Sequence, residues 1–473
     1  MRDTIDEVIQ YATMAAAEYS QFTQEQTDRI VKSVFEAAFN NRVKLAKMAH
    51  EETGIGIWEH KVVKNVVASQ LVYEDIKDLK TVGIISDDVE SGIVEIAQPM
   101  GPILAIIPVT NPTSTVIFKV LISLKSRNPV IICPSKKAID CCSETARICY
   151  EAALKAGAPE GCIQWLTTVT REQTQELMSH KGLSLILATG GSGLVKSAYS
   201  SGTPTIGVGA GNVPVFIERS ADIPFSVAQI FMSKTFDNGT ICASEQAIVV
   251  EKEIADTVIA EFKARKAYFL NDQEIVLLNN LAINSTTLLM NPDIVGRSAY
   301  DIAQKAGINA PADVALLIAP LTAVGDEYPL SSEVLAPILA FYVVESFEKA
   351  INMCIDLNYH GGIGHSAAIY SNNEEKIKYF AIHMNAGRIC VNTPSSQGAV
   401  GGMFNKLSPS LTLGCGTGGK NITTDNVSAK HLLNIQRISK RRPNERFIRF
   451  DTSLYLDENN KADKLLELYN NNY

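Results

Sequence analysis

No apolar run in this chain is long enough to cross a bilayer: the most apolar stretch, 103–109, lies between Pro102 and Pro112, whereas a spanning helix needs about 20 residues. Paired CxxC motifs are missing too, and no histidine stands at ligand spacing from a cysteine, which argues against a structural zinc site. Basic residues are in deficit, 43 against 51 acidic ones for a formal charge of -8, so a broad nucleic-acid surface is excluded. The one basic cluster, Lys440-Arg441-Arg442 with Arg437 and Arg446 nearby, is short and is expected in solvent or at a subunit contact. No secretory leader is legible, and nine cysteines are an odd number; a reduced, cytoplasmic protein is the expectation. Internal repeats, low-complexity runs and free linkers are absent as well.

What remains is a well-packed chain of 473 residues, 46% hydrophobic and 20% charged, too long for one ordinary core, so two or three domains are expected. Up to residue 79 the period is helical, with Ile30, Val31, Val34, Phe35 and Ala38 on one face and Leu45, Met48 and Ala49 on the next; these helices read as a cap on a later sheet. Segments 81–85 and 92–97 read as short strands that make a subunit contact.

From Pro99 the pattern becomes an α/β alternation. Strands are predicted at 103–108, 130–133, 163–166, 183–188, 205–207 and 213–217, with helices at 112–125, 138–156, 171–179 and 193–200. Short apolar strands between amphipathic helices specify a mostly parallel sheet covered on both faces. A less regular α/β region follows, with a helix at 223–235, a strand at 247–250, a helix at 254–264 and strands at 316–318, 339–344, 367–370 and 388–391. Past residue 428 the expectation is a short helix at 431–435, a strand near 447–455 and a polar helical tail.

Seven stretches carry possible chemistry. In Phe236-Asp237-Asn238-Gly239-Thr240-Ile241-Cys242 an Asn-Gly turn precedes a buried strand, which suits a held nucleophile; the competing reading is a core thiol. Thr189-Gly190-Gly191-Ser192-Gly193 follows a strand and opens a helix, so its N–H groups can face a pyrophosphate, although it is not the spaced GxGxxG pattern and also serves as a plain turn. Thr110-Asn111-Pro112 ends a buried strand; Asn111 can donate to an oxyanion or simply shape the turn. The glycine-rich segments 207–212, which includes Gly209, and 414–419 suit close approach to a ligand or to another segment. His365 and Glu333 read either as functional groups or as a satisfied core histidine and a cap.

Together these stretches resemble the aldehyde dehydrogenase superfamily, in its coenzyme A-acylating branch. The resemblance covers almost the whole chain and rests on VTNP at 109–112, ATGGSGLVKSAYSSG at 188–202, GVGAGN at 207–212, FDNGTICASEQ at 236–246, SSEVLAP at 331–337 and RICVNTPSSQGAVGG at 388–402. It implies a Rossmann-type cofactor domain (1–219), an α/β catalytic domain (220–426) and a C-terminal segment (427–473) that returns to the first domain or to a subunit interface, with a small oligomerisation element. It further implies Cys242 as nucleophile, Asn111 with the Cys242 N–H as oxyanion hole, and His365 in thiol deprotonation or coenzyme contact. Thr110, Gly190, Gly191, Gly209 and Glu333 are expected to bind NAD or NADP, with coenzyme A as co-substrate, a short aldehyde as substrate and a homodimer or dimer of dimers as the assembly.

Two departures from the hydrolytic relatives matter. Gly207 stands where they carry a water-activating glutamate, and Cys133-Pro134 where many carry a lysine that meets the adenosine ribose. The first favours thiol over water as acyl acceptor; the second leaves NAD and NADP both open. A hydrolytic dehydrogenase is the alternative, and a non-catalytic scaffold a third. For an anionic aldehyde, Ser395-Ser396 or Lys234 would supply the counter-charge or hydroxyls.

Overall fold

The structure, a computed structural model, describes residues 4–168, 170–284 and 286–471. The chain divides into two compact units, Met1–Leu79 with Pro99–Leu433 and Lys80–Gln98 with Asn434–Tyr473.

The larger unit contains two all-parallel sheets. The first has five strands in the order Ile163–Trp165, Val130–Cys133, Ile103–Ile106, Leu185–Thr189 and Thr205–Val208. Taken in chain order they stand third, second, first, fourth and fifth, the doubly wound arrangement of dinucleotide-binding sheets. Its strand order reverses between Ile103–Ile106 and Leu185–Thr189, which opens a crevice at their carboxyl ends. Helix Pro112–Lys125 packs under this sheet with every residue buried, because the N-terminal helices cover its other side. Ile30, Val31, Val34, Ala38, Leu45 and Ala49 share one core with it, as the helical period predicted. Phe35 stays partly buried and stacks on Tyr73, ring centroids 4.4 Å apart.

The second sheet has seven strands, in the order Ala267–Phe269, Leu316–Pro320, Ile338–Val344, Glu245–Glu251, Val213–Ile217, Gly364–Tyr370 and Ala386–Val391. Strand Val213–Ile217, expected to continue the first alternation, pairs here instead, between Glu245–Glu251 and Gly364–Tyr370. The three turns that lead into these neighbouring strands thereby lie side by side. One carries Cys242, one carries Gly211, and the third leads into His365, which stands at the start of strand Gly364–Tyr370.

The smaller unit holds a three-stranded sheet of Gly83–Asp88, Ile93–Pro99 and Leu433–Ser439. The hairpin is antiparallel, with a bulge between Ile84 and Ser86, and Arg437 pairs with Glu95 at 2.9 Å. Two C-terminal expectations fail. The helix predicted at 431–435 is a short turn, Ala429–Leu432, running into a strand. The strand predicted near 447–455 is two helical turns, Glu445–Arg449 and Thr452–Leu456. Side chains of Asn444 and Asp451 accept from Phe447 N and Ser453 N, and this capping wins over the apolar alternation.

Candidate active site

Helix Ile223–Thr235 ends in a turn in which Asp237, Asn238 and Gly239 all have positive φ, 50°, 53° and 72°. Left-handed backbone at a non-glycine residue costs about 1–3 kcal/mol unless its surroundings hold it. The Asp237 carboxylate supplies that hold. Its Oδ1 accepts from Ile57 N at 2.6 Å, and its Oδ2 accepts from Lys61 Nζ at 3.0 Å, Thr240 Oγ1 at 2.8 Å and Lys64 Nζ. Its own N–H donates to His60 Nδ1 at 2.8 Å. Burial raises the Asp237 carboxyl, but Lys64 and Lys61 outweigh this and keep it below the usual carboxylate range. Gly56 must be glycine, because a Cβ there would lie 2.0 Å from Asp237 Oδ1. The turn is thus anchored to helix Trp58–Val66, and Cys242 follows it on a fixed backbone.

Cys242 is partly exposed, whereas the other eight free cysteines are buried. Its Sγ lies 3.2 Å from Nε2 of His365, whose Nδ1 lies 3.1 Å from Ser366 Oγ. Behind them Arg388 donates to the carbonyls of His365 (2.6 Å) and Gly414 (2.7 Å) and to Ser366 Oγ (3.3 Å). Burial, with the Arg388 guanidinium, pushes the imidazole down to about 3. Burial, with the nearby Glu333 carboxyl, pushes the Cys242 thiol up to about 12. The resting pair is therefore neutral thiol and neutral imidazole, not an ion pair. Gly211 abuts both: a Cβ there would lie 2.2 Å from the Cys242 carbonyl oxygen and 3.1 Å from the His365 ring.

Across the cleft, Asn111 precedes helix Pro112–Lys125 without capping it through its side chain. Thr115 instead takes the Asn111 carbonyl, through N at 3.1 Å and Oγ1 at 2.6 Å. The carboxamide is left for the cleft: Oδ1 accepts from Lys64 Nζ at 2.5 Å, and Nδ2 donates to Thr110 Oγ1 at 3.0 Å. Asn111, Lys64, Thr189 and Cys242 line one cleft, open to solvent and walled by Val63, Val67, Phe236, Ile241, Met403 and Leu411.

Of the turn read for a dinucleotide, Thr189 lines the cleft that Cys242 lines. Thr189 ends its strand with a buried Oγ1 that has no hydrogen-bond partner among the described residues. Gly190 and Gly191 then open helix Ser192–Tyr199, and a Cβ at Gly191 or Gly209 would meet open space. Glu333 accepts from Gly211 N at 3.0 Å, and burial pushes its carboxyl up to about 7. An orphaned hydroxyl, an open glycine turn at a helix N-terminus and a switch-point crevice fit a dinucleotide pyrophosphate.

The reading of Lys234 and Ser395-Ser396 as partners of an anionic aldehyde is corrected by their surroundings. Lys234 is fully buried and donates to Gln246 Oε1 (2.9 Å) and the Val334 carbonyl (3.0 Å), and Ser396 bonds Ser233; neither lines the cleft, nor does Ser395. Cys133 is buried, 4.0 Å from Thr174 Oγ1. Gly207 is closed to a larger side chain, since a Cβ would lie 2.8 Å from Val195 and 3.0 Å from Tyr199. The sequence reading missed Lys61, Lys64 and Arg388 as parts of the site. Only Arg388 left a signal, a charge just ahead of an apolar run inside a quoted motif.

Among the described residues no helix is long and apolar enough to cross a membrane, and no group of three or more His, Cys, Asp or Glu side chains could hold a metal ion.

The fold and the cysteine turn define a class: the chain belongs to the aldehyde dehydrogenase family, whose pattern matches residues 1–272 and 321–405. It is 44% identical over 455 residues to a bifunctional aldehyde-alcohol dehydrogenase of Escherichia coli, an alignment covering 95% of this chain and 51% of that protein. The chain thus spans about half the length of that curated relative. Among solved structures it resembles an acetylating aldehyde dehydrogenase from Geobacillus thermoglucosidasius, with a TM-score of 0.90, 48% identity, and 93% and 96% of the two chains covered. A propionaldehyde dehydrogenase from Rhodopseudomonas palustris, solved with bound CoA and an acylated cysteine, superposes with a TM-score of 0.83 at 28% identity, covering 93% and 97%.

Proposed function

We propose that this chain is a reversible, coenzyme A-acylating aldehyde dehydrogenase for short, uncharged aldehydes such as acetaldehyde. The observation that carries this reading is the shared cleft, in which the partly exposed thiol of Cys242 faces the carboxamide of Asn111 and contacts His365. Its walls are apolar, and the ammonium of Lys64, the charged group in the lining, is already paired with Asp237. An anionic aldehyde would meet no free counter-charge among the lining residues.

In the mechanism, Cys242 Sγ forms a bond to the aldehyde carbon as the thiol gives up its proton, with Nε2 of His365 as the nearest acceptor. Asn111 Nδ2 and the Cys242 N–H donate to the oxyanion that develops. Thr110, Gly190, Gly191, Gly209 and Glu333 would hold NAD or NADP, which would supply the hydride acceptor. Loss of hydride leaves a thioester on Cys242. Once His365 has released the first proton to solvent, the thiol of coenzyme A attacks the acyl carbon, its proton passes to Nε2 of His365, the bond to Cys242 Sγ breaks, the departing Cys242 sulfur takes that proton, and acyl-CoA leaves. Gly207, packed on Tyr199 through its carbonyl at 3.0 Å, offers no carboxylate to activate water, so the thioester waits for a thiol.

Incubating the enzyme with acetaldehyde and NAD but no coenzyme A is expected to leave an acetyl group on the Cys242 peptide, removed within one turnover when coenzyme A is added. An unmodified peptide with continuing acetate release would favour the hydrolytic alternative. Nine free thiols support a cytoplasmic setting. Exposed Ile84, Val89 and Ile438 in the smaller unit support a homodimer, which light scattering at several concentrations would test.

A further inference from the structure

Lys64 sits on helix Trp58–Val66, and the mechanism above gives it no task. Its Nζ nevertheless donates to Asn111 Oδ1 at 2.5 Å, to Thr240 Oγ1 at 2.9 Å and to Asp237 Oδ2. Those acceptors use all three N–H bonds of an ammonium. Because an ammonium carries no lone pair, the carboxamide atom that faces it is the oxygen. The Asn111 nitrogen is thereby turned the other way, toward Thr110 Oγ1 at 3.0 Å and the Thr240 carbonyl at 3.4 Å. The second contact is long for a hydrogen bond, so one N–H of Nδ2 is weakly engaged and free to serve the cleft that Lys64, Asn111 and Cys242 line together.

We propose that Lys64 is a positioning residue for acyl transfer: by holding Asn111 Oδ1 it fixes which end of the carboxamide meets the oxyanion and polarises the N–H that donates to it. Without that hold the amide can rotate by a half-turn and present a lone pair where charge develops, which turns a stabilising contact into a repulsive one. Lys64 is itself kept rigid by Asp237 and Thr240 and is buried. Lys61 also pairs with Asp237 at 3.0 Å, so the carboxylate keeps a cation when Lys64 is replaced. The inference rests on the reading of Asn111 as the oxyanion donor, and the experiment separates the two.

The test is a double-mutant cycle on the full chain assayed with acetaldehyde, NAD and coenzyme A, using Lys64→Met, Asn111→Ala and the double variant. Asn111→Ala is expected to lower kcat by about 10²–10³-fold, the usual cost of one oxyanion donor. Lys64→Met is expected to lower kcat by roughly 10–10²-fold with KM values little changed, and the double variant to match Asn111→Ala within about threefold. Iodoacetamide labelling of Cys242, which needs no oxyanion hole, is expected to keep its parental rate in Lys64→Met. Where Lys64→Met does not accumulate as folded protein, Lys64→Gln takes its place in the cycle. Losses that multiply in the double variant, a parental kcat in the Lys64 variant, or a fall in labelling as large as the fall in kcat would each overturn the role of Lys64. Parental kcat in Asn111→Ala would instead overturn the oxyanion reading beneath it.

Discussion

Sγ of Cys242 and Nε2 of His365 lie 3.2 Å apart although 123 residues separate them in the chain. They meet because strand Glu245–Glu251, which follows Cys242, and strand Gly364–Tyr370, which carries His365, flank the same neighbour, Val213–Ile217. Burial, reinforced by the Arg388 guanidinium behind His365, keeps the imidazole neutral, and burial likewise keeps the thiol protonated. The ligand-free site therefore holds no standing thiolate.

The pH dependence of labelling follows from that state. The thiol is raised to about 12, so its thiolate fraction is small at neutral pH and grows as pH rises toward that value. Inactivation of the ligand-free enzyme by iodoacetamide is expected to accelerate about tenfold per pH unit between roughly pH 6 and 9, because only the thiolate reacts. A plateau beginning near pH 6 would mean a thiolate–imidazolium pair.

Replacing the nucleophile is the most direct substitution. Cys242→Ala is expected to lower coenzyme A-dependent NAD reduction by at least about three orders of magnitude, while the melting temperature stays within a few degrees because the side chain is small and partly exposed. Turnover near the parental rate would remove Cys242 from the chemistry.

Gly211→Ala tests how tightly the site is built. The added Cβ would lie 2.2 Å from the Cys242 carbonyl, so the turn must shift by several tenths of an ångström or more. Displacement of about 1 Å costs roughly 10²-fold in rate, and overpacking costs about 1–3 kcal/mol. Steady-state kinetics and a urea melt read the two effects separately.

The expected cost of Asp237→Ala is larger, about 3–5 kcal/mol, because it strands the buried ammoniums of Lys61 and Lys64. Equilibrium denaturation would measure it, and a loss below about 1 kcal/mol would mean that the pair contributes little to holding the turn.

Much of the first sheet was legible because its strands are continuous apolar runs between proline- and glycine-marked turns. Helix Pro112–Lys125 and strands Val130–Cys133 and Val213–Ile217 run over the residues expected. Sheet membership was not legible, since pairing is non-local, and Val213–Ile217 went to the second sheet. The C-terminal segment was misread where Asn444 and Asp451 cap helical turns under an apparent alternation. At the site, the Asn-Gly turn pointed to Cys242, while Asn111, His365 and Glu333 each stood open between a functional and a structural reading until the family resemblance implied one role for each. Lys61 and Lys64 gave no sign: a lysine on an amphipathic helix reads as solvated, and these are buried only because a carboxylate 173 residues beyond Lys64 reaches them.

In the proposed function a thiol, not water, removes the acyl group from Cys242. Steady-state NAD reduction by acetaldehyde with and without coenzyme A, the product resolved by chromatography, distinguishes the two acceptors. The expected result is acetyl-CoA formed in step with NADH, and turnover lower by at least about 10²-fold when coenzyme A is omitted, the loss of one essential reactant. Sustained turnover without coenzyme A, with acetate as the product, would contradict it.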